Sequence, residues 1–150
     1  MHTMPASADT RVFLDTNIFL YAAGGEHPLK TPCADLIARV GNGDIDAVTS
    51  SEVVQEILYV LSRRKLLTEG VQLATEVMDM FPDLLPVTGA DIQHACHILQ
   101  DHPNLPVRDA VHCSVMSAHG ITRVVTADSH FDQIPGIQRI DPATGDRACR

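Results

Sequence analysis

The chain has 150 residues, 19 acidic against 11 basic side chains and a formal charge of −8, with 45% hydrophobic and 20% charged residues. That length suits one domain able to bury a core of its own, and the composition excludes a disordered chain and a broadly basic DNA-coating protein. No apolar run reaches the roughly 20 residues of a membrane span, because Asp15 interrupts the stretch from Val12 to Ala23.

The first ten residues lack a basic start and an apolar stretch, so no secretion signal is expected and residues 1–10 read as a flexible leader. Cys33, Cys96, Cys113 and Cys149 share no short paired spacing. Reduced thiols in a cytoplasm fit them better than a secreted disulfide scaffold.

Val12-Phe13-Leu14, stopped by Asp15, predicts a short buried strand, and the apolar stretch Ile18 to Ala23 ends at Gly24-Gly25. Thr31-Pro32 predicts a helix start with Thr31 as cap, followed by Leu36, Ile37 and Val40 and ended by Gly41-Asn42-Gly43. After a short strand at Ala47-Val48, Thr49 and Glu52 have capping-box spacing. Val53, Val54, Ile57, Leu58 and Leu61 then recur at helical intervals to about Lys65.

Thr68 opens the next predicted helix, with Val71, Ala74, Val77, Met78 and Phe81 on one face and Pro82 as its stop. Leu84 to Val87 is strand-like, reduced to an edge or a short strand by Pro86. Thr88 and Asp91 repeat the capping spacing before Ile92, Ala95, Cys96 and Leu99. Beyond Pro103 and Pro106, Ala110, Val111, Ser114, Val115 and Ala118 mark a helix ending at Gly120; Ile121–Thr126 and Ile137–Ile140 complete the strands. Strands separated by helices imply crossover connections. The expectation is an α/β fold: a three-layer α/β/α domain over residues 11–142, with a mainly parallel sheet of about five strands and a C-terminal tail at 143–150.

Four carboxylates occupy comparable places in that architecture. Asp15 follows the first strand, Glu56 lies one turn into the helix after the second, Asp109 opens its helix, and Asp128 follows the strand ending at Thr126. Asp132 comes four residues later. Ligands of open parallel sheets bind beyond the carboxyl ends of the strands, where Asp15 and Asp128 should emerge. Each residue also has a structural reading: Asp15 as a turn cap, Glu52 in its capping box, Asp109 as a helix-dipole partner, Asp132 as a turn residue. Taken together, carboxylates held this close repel one another unless a divalent cation offsets them. An oxygen-only donor set suits Mg²⁺ or Mn²⁺ better than zinc, and such metals hydrolyse phosphodiesters by activating water.

Phe13-Leu14-Asp15-Thr16-Asn17, Glu56, Arg108-Asp109-Ala110-Val111-His112 and Thr126-Ala127-Asp128-Ser129-His130-Phe131-Asp132 stand in the order of the motifs of PIN-domain nucleases. The chain resembles that family over about residues 11–142, and most of all the VapC-type toxins of prokaryotic toxin–antitoxin modules. The resemblance implies a Mg²⁺- or Mn²⁺-dependent ribonuclease whose acidic quartet is Asp15, Glu56, Asp109 and Asp128, with Asp132 a further acidic position near the metal. It implies supporting roles for Thr16, Asn17, Thr126 and Ser129, which would orient carboxylates or water. A cognate antitoxin and a homodimeric state are implied as well.

The acidic charge sits awkwardly with an anionic substrate, although the five candidate carboxylates account for much of it. Arg63-Arg64-Lys65 is the one basic run and a candidate RNA contact; its position also suits a helix C-terminus. Arg108 can meet a phosphate or pair with a neighbouring carboxylate. His94, Cys96, His97 and His102 raise a zinc site, but only His94 and His97 share a helix face. His112 is a possible proton donor, with a core or surface histidine as the plainer reading.

Three rival functions remain. A haloacid-dehalogenase-type phosphatase would need an Asp where Asn17 stands. An RNA-processing PIN nuclease that is not a toxin, and a noncatalytic RNA- or protein-binding PIN-like module, are closer.

Overall fold

Val12, Phe13 and Leu14 form strand β1 (Val12–Leu14) and are all fully buried, as a parallel strand covered on both faces requires. A computed structural model describes residues 9–144, so Cys149 and most of the expected leader and tail lie outside the described residues. After β1 come α1 (Thr16–Ala23), α2 (Lys30–Gly41), β2 (Ala47–Val48), α3 (Ser51–Arg63), α4 (Leu67–Met80), α5 (Gly89–Asp101) and α6 (Val107–Ala118). Strand β3 (Arg123–Val125), a 3₁₀ turn at Ser129–Gln133 and strand β4 (Gln138–Ile140) follow.

The sheet order is β2-β1-β3-β4 and every pairing is parallel. Phe13 lies opposite Val48 on one side and Val124 on the other, so β1 is central. From β1 the chain crosses outward to β2, then returns past β1 to β3. Right-handed crossovers running in opposite directions put helices on both faces, which gives the three layers. They also create a switch point between the carboxyl ends of β1 and β3.

The sheet has four strands rather than about five. Leu84–Val87 contributes only a single parallel bridge, Ser50 to Leu85, because the partner segment turns into α3 at Ser51 and leaves no further strand to pair with. Three helix starts also differ from expectation. Ser50, not Thr49, caps α3 by accepting from the Val53 N–H, and the Thr49 hydroxyl donates instead to the Leu14 carbonyl at 3.0 Å. Helices α2 and α4 begin without a side-chain cap, so Thr31 and Thr68 lie inside them. The box at Thr88 and Asp91 forms as its spacing predicts.

Packing of α4 is narrower than its apolar pattern. Ala74, Val77 and Phe81 are buried, while Val71 and Met78 remain about half exposed. Gly70 is where α4 meets α3: a Cβ there would stand 3.1 Å from the Leu61 Cβ. Helix α1 ends at Gly24, where a Cβ would press to 2.7 Å from the Leu20 carbonyl oxygen. Among the described residues no helix is long and apolar enough to cross a membrane.

Candidate active site

Asp15 leaves β1 at the switch point and caps α1, its Oδ1 accepting from the Thr16 N–H at 2.8 Å. Its Oδ2 accepts from the Thr126 hydroxyl at 2.7 Å and from the Asn17 amide at 3.3 Å. Thr126 in turn accepts from the Asp128 N–H and from Asn17 Nδ2, both at 3.0 Å. Asn17 Oδ1 accepts from the Ala127 N–H at 3.3 Å. These bonds knit the residues after β1 to those after β3. Both readings of Asp15 therefore hold together: it caps a helix and it faces the site.

Helix α6 brings Asp109, buried, to the same place. Asp15, Asp109 and His112 each offer a ligand atom within 4.8 Å of the others, and so do Asp109, Asp128 and His130. Asp109 is common to both sets. Burial is the largest force on it, followed by the charges of Asp15 and Asp128, and together they push its carboxyl up to about 7. Burial also raises Asp15, against the opposing pull of His112 and of its hydrogen bonds. Two neighbouring carboxylates that resist ionisation, beside a third, form a donor set that a divalent cation would relieve. The residues fit such an ion.

Glu56 stands beside these two sets rather than in either. Its Oε2 accepts from the Thr16 hydroxyl at 2.7 Å and lies 3.3 Å from His112 Nε2, while Oε1 is 3.7 Å from the Arg108 guanidinium. Burial pushes Glu56 up, but His112, Thr16 and Arg108 together outweigh it, and the carboxyl settles below its ordinary value. Arg108 also reaches Glu52 at 3.6 Å and stacks over the Tyr59 ring at 4.4 Å. Glu52, expected in a capping box, thus serves as an ion-pair partner.

Asp132 is placed away from the cluster. Its carboxylate is held on the Arg139 guanidinium by bonds of 2.8 and 3.2 Å and is more than half exposed. Ser129 is exposed at the first position of the 3₁₀ turn, and Arg63, Arg64 and Lys65 are exposed at the end of α3. His94, Cys96 and His97 are exposed on α5, and among the described residues they join no metal-capable group with His102.

Two histidines lie among the candidate carboxylates, one of them, His130, with no expectation attached to it in the sequence. His112 follows Asp109 by three residues, a spacing that puts both on one helix face. His130 Nδ1 lies 2.8 Å from Asp128 Oδ1 and 3.3 Å from Asp109 Oδ2. Its signal was adjacency to Asp128 in a tight turn.

A parallel sheet with carboxylates gathered at the ends of β1 and β3 defines an α/β domain with an acidic cluster at its switch point. The PIN domain family model matches residues 12–137, and the chain belongs to the PIN-domain family. It is 36% identical over 132 residues to the ribonuclease VapC13 of Mycobacterium tuberculosis, covering 86% of this chain and 98% of that one. Among solved structures it resembles Mycobacterium tuberculosis VapC20, described as a sarcin–ricin-loop-cleaving toxin, with TM-score 0.68, 21% identity, and 81% and 92% of the two chains covered. A toxin–antitoxin complex from Klebsiella pneumoniae matches with TM-score 0.63 and 15% identity over 87% of this chain and 97% of that one.

Proposed function

We propose that this chain is a divalent-metal-dependent endoribonuclease and the toxin component of a VapBC-like type II toxin–antitoxin pair. The observation that carries the reading is the convergence of Asp15, Asp109 and Asp128 at the switch point, with Asp109 held up to about 7. The relative named ribonuclease VapC13 supports the RNA substrate, and the toxin–antitoxin complex among the structural neighbours supports a cognate antitoxin. A homodimer acting on cytoplasmic RNA completes the proposal.

In this reading Asp15, Asp109 and Asp128 would hold Mg²⁺ or Mn²⁺. The bound ion supplies Lewis acidity that activates water and offsets the charge developing on the phosphodiester. Asp15 is aimed by Thr16 N–H, Thr126 and Asn17, and does not have to reorganise. Asp109, raised in the metal-free protein, would have to be deprotonated to hold the ion. Glu56, anchored on Oε2, presents Oε1 as a group that positions water. Ser129 offers a further hydroxyl, exposed beside Asp128, and Asp132 adds charge nearby only by leaving Arg139. Arg108, partly exposed, can exchange a carboxylate for a substrate phosphate, a contact its planar fork suits. Arg63, Arg64 and Lys65 extend the RNA path.

Retention of the whole quartet favours an enzyme over a noncatalytic module. The deciding experiment is cleavage of total cellular RNA by the purified chain with Mg²⁺ or Mn²⁺, beside Asp15→Asn and an EDTA control. Discrete fragments from the metal-loaded wild type alone are expected. Silence from folded, antitoxin-free protein across metals and RNA classes would overturn the proposal.

A further inference from the structure

Among the described residues His112 is the only histidine that is completely buried. Its ring lies in α6 with the Phe13 ring 5.5 Å away, Nε2 is 3.3 Å from Glu56 Oε2 and 3.5 Å from Asp15 Oδ1, and Nδ1 has no hydrogen-bond partner.

That environment determines where the ring carries a proton. On Nε2, the proton makes a charge-assisted bond to a carboxylate. If the only proton sat on Nδ1, an N–H would be buried without an acceptor, and the Nε2 lone pair would face two carboxylates. Nε2 therefore keeps its proton whether the ring is neutral or charged.

The consequence falls on Glu56. Its Oε2 takes both the Thr16 hydroxyl, at 2.7 Å, and the His112 N–H. With Oε2 occupied from two sides, the carboxylate plane is fixed and Oε1 is the oxygen left toward Arg108 and solvent.

We infer that His112 is a positioning residue for RNA cleavage: through its Nε2–H it locks Glu56 so that Oε1 faces the reacting phosphodiester. The inference rests on the nuclease reading. His112 acts through Glu56, so its removal lowers turnover without loosening RNA or the metal.

Two substitutions of matched reach separate this role from packing. In His112→Gln the amide nitrogen lies as many bonds from the backbone as Nε2 and restores the donor; His112→Met fills the same length with no donor. His112→Gln is expected to keep kcat within about threefold, and His112→Met to lose about tenfold or more at unchanged KM, the size of one hydrogen bond to a charged group. Calorimetric Mn²⁺ affinity should change by less than about threefold in both, against the tenfold or greater loss typical of a lost ligand-shell partner. Nitrogen NMR of the metal-free wild type should show a protonated Nε2.

Equal kcat for the two variants, an unprotonated Nε2, or histidine nitrogen coupling to bound Mn²⁺ in electron paramagnetic resonance would each overturn the assignment. The last would make His112 a ligand. Loss of cleavage by the wild type itself would instead overturn the nuclease reading, and with it this use of Glu56.

Discussion

Thr126 donates its hydroxyl proton to Asp15 Oδ2 at 2.7 Å, and the Thr126 hydroxyl oxygen itself accepts the Asp128 N–H. One side chain thus sets the orientation of the carboxylate after β1 and the turn carrying the carboxylate after β3. Thr126→Ser should keep both bonds, while Thr126→Val removes the donor and the acceptor at nearly constant volume. Mn²⁺ affinity measured by calorimetry should fall about tenfold or more in the valine variant and by less than about threefold in the serine variant. The valine variant should also lose about 1–3 kcal/mol in urea unfolding, since buried polar partners are left unsatisfied.

Asp109 links the site to pH. Its carboxyl is raised from 3.8 to about 7 in the folded protein, by burial first and then by Asp15 and Asp128. Between those values the native state keeps a proton that the unfolded chain has released. Metal-free stability from this group is therefore full below about 4, falls as pH rises toward 7, and then levels off. The urea midpoint in EDTA should be lower at pH 8 than at pH 5, and Asp109→Asn should flatten that difference. Below about 7 a metal ion must displace the proton, so apparent Mn²⁺ affinity should weaken as pH falls, by up to about tenfold per unit.

Much of the candidate site's placement is legible in the sequence. Asp15, Asp109 and Asp128 each follow a strand or open a helix, and a parallel α/β order brings those places to one edge of the sheet. The fifth strand is absent because apolar residues at Leu84–Val87 say nothing of their partner segment, which turns into α3 at Ser51 after one bridge. Caps shifted for a similar reason. Thr49 and Ser50 are both competent, and only the tertiary demand of the Leu14 carbonyl decides which hydroxyl is free for α3. The histidines were the largest loss. Spacing put His112 on the Asp109 face, yet its meaning depends on Glu56 and Thr16 arriving from other elements.

Asp132 provides a negative test. Its bidentate pairing with Arg139 stands apart from both metal-capable groups. Asp132→Asn is expected to change Mn²⁺ affinity by less than about threefold, far below the loss for a true ligand. A tenfold weakening would show that Asp132 abandons Arg139 when the ion binds.

The capping box of α5 bears on α6 and so on Asp109. Thr88 N–H donates to Asp91 Oδ2 at 2.8 Å, Asp91 N–H returns to the Thr88 hydroxyl at 3.2 Å, and the Ser114 hydroxyl of α6 donates to the Asp91 carbonyl at 2.6 Å. Thr88→Ala should cost about 0.5–2 kcal/mol in urea unfolding. Turnover at saturating metal should stay close to wild type, since the cap supports the scaffold and touches no reacting group.

Arg63, Arg64 and Lys65 separate substrate binding from helix electrostatics. As cations at the end of α3 they would favour the helix dipole by a few tenths of a kcal/mol and leave RNA indifferent to them. As phosphate contacts they would each release counterions from a single strand, steepening the salt dependence by about 0.7 per contact. Replacing all three by Gln should raise KM for RNA at low salt and reduce the slope of log KM against log salt by about 2, with kcat preserved. Measuring that slope from low to physiological salt distinguishes the two roles, because a purely local helix effect would appear in the melting temperature and leave the slope unchanged.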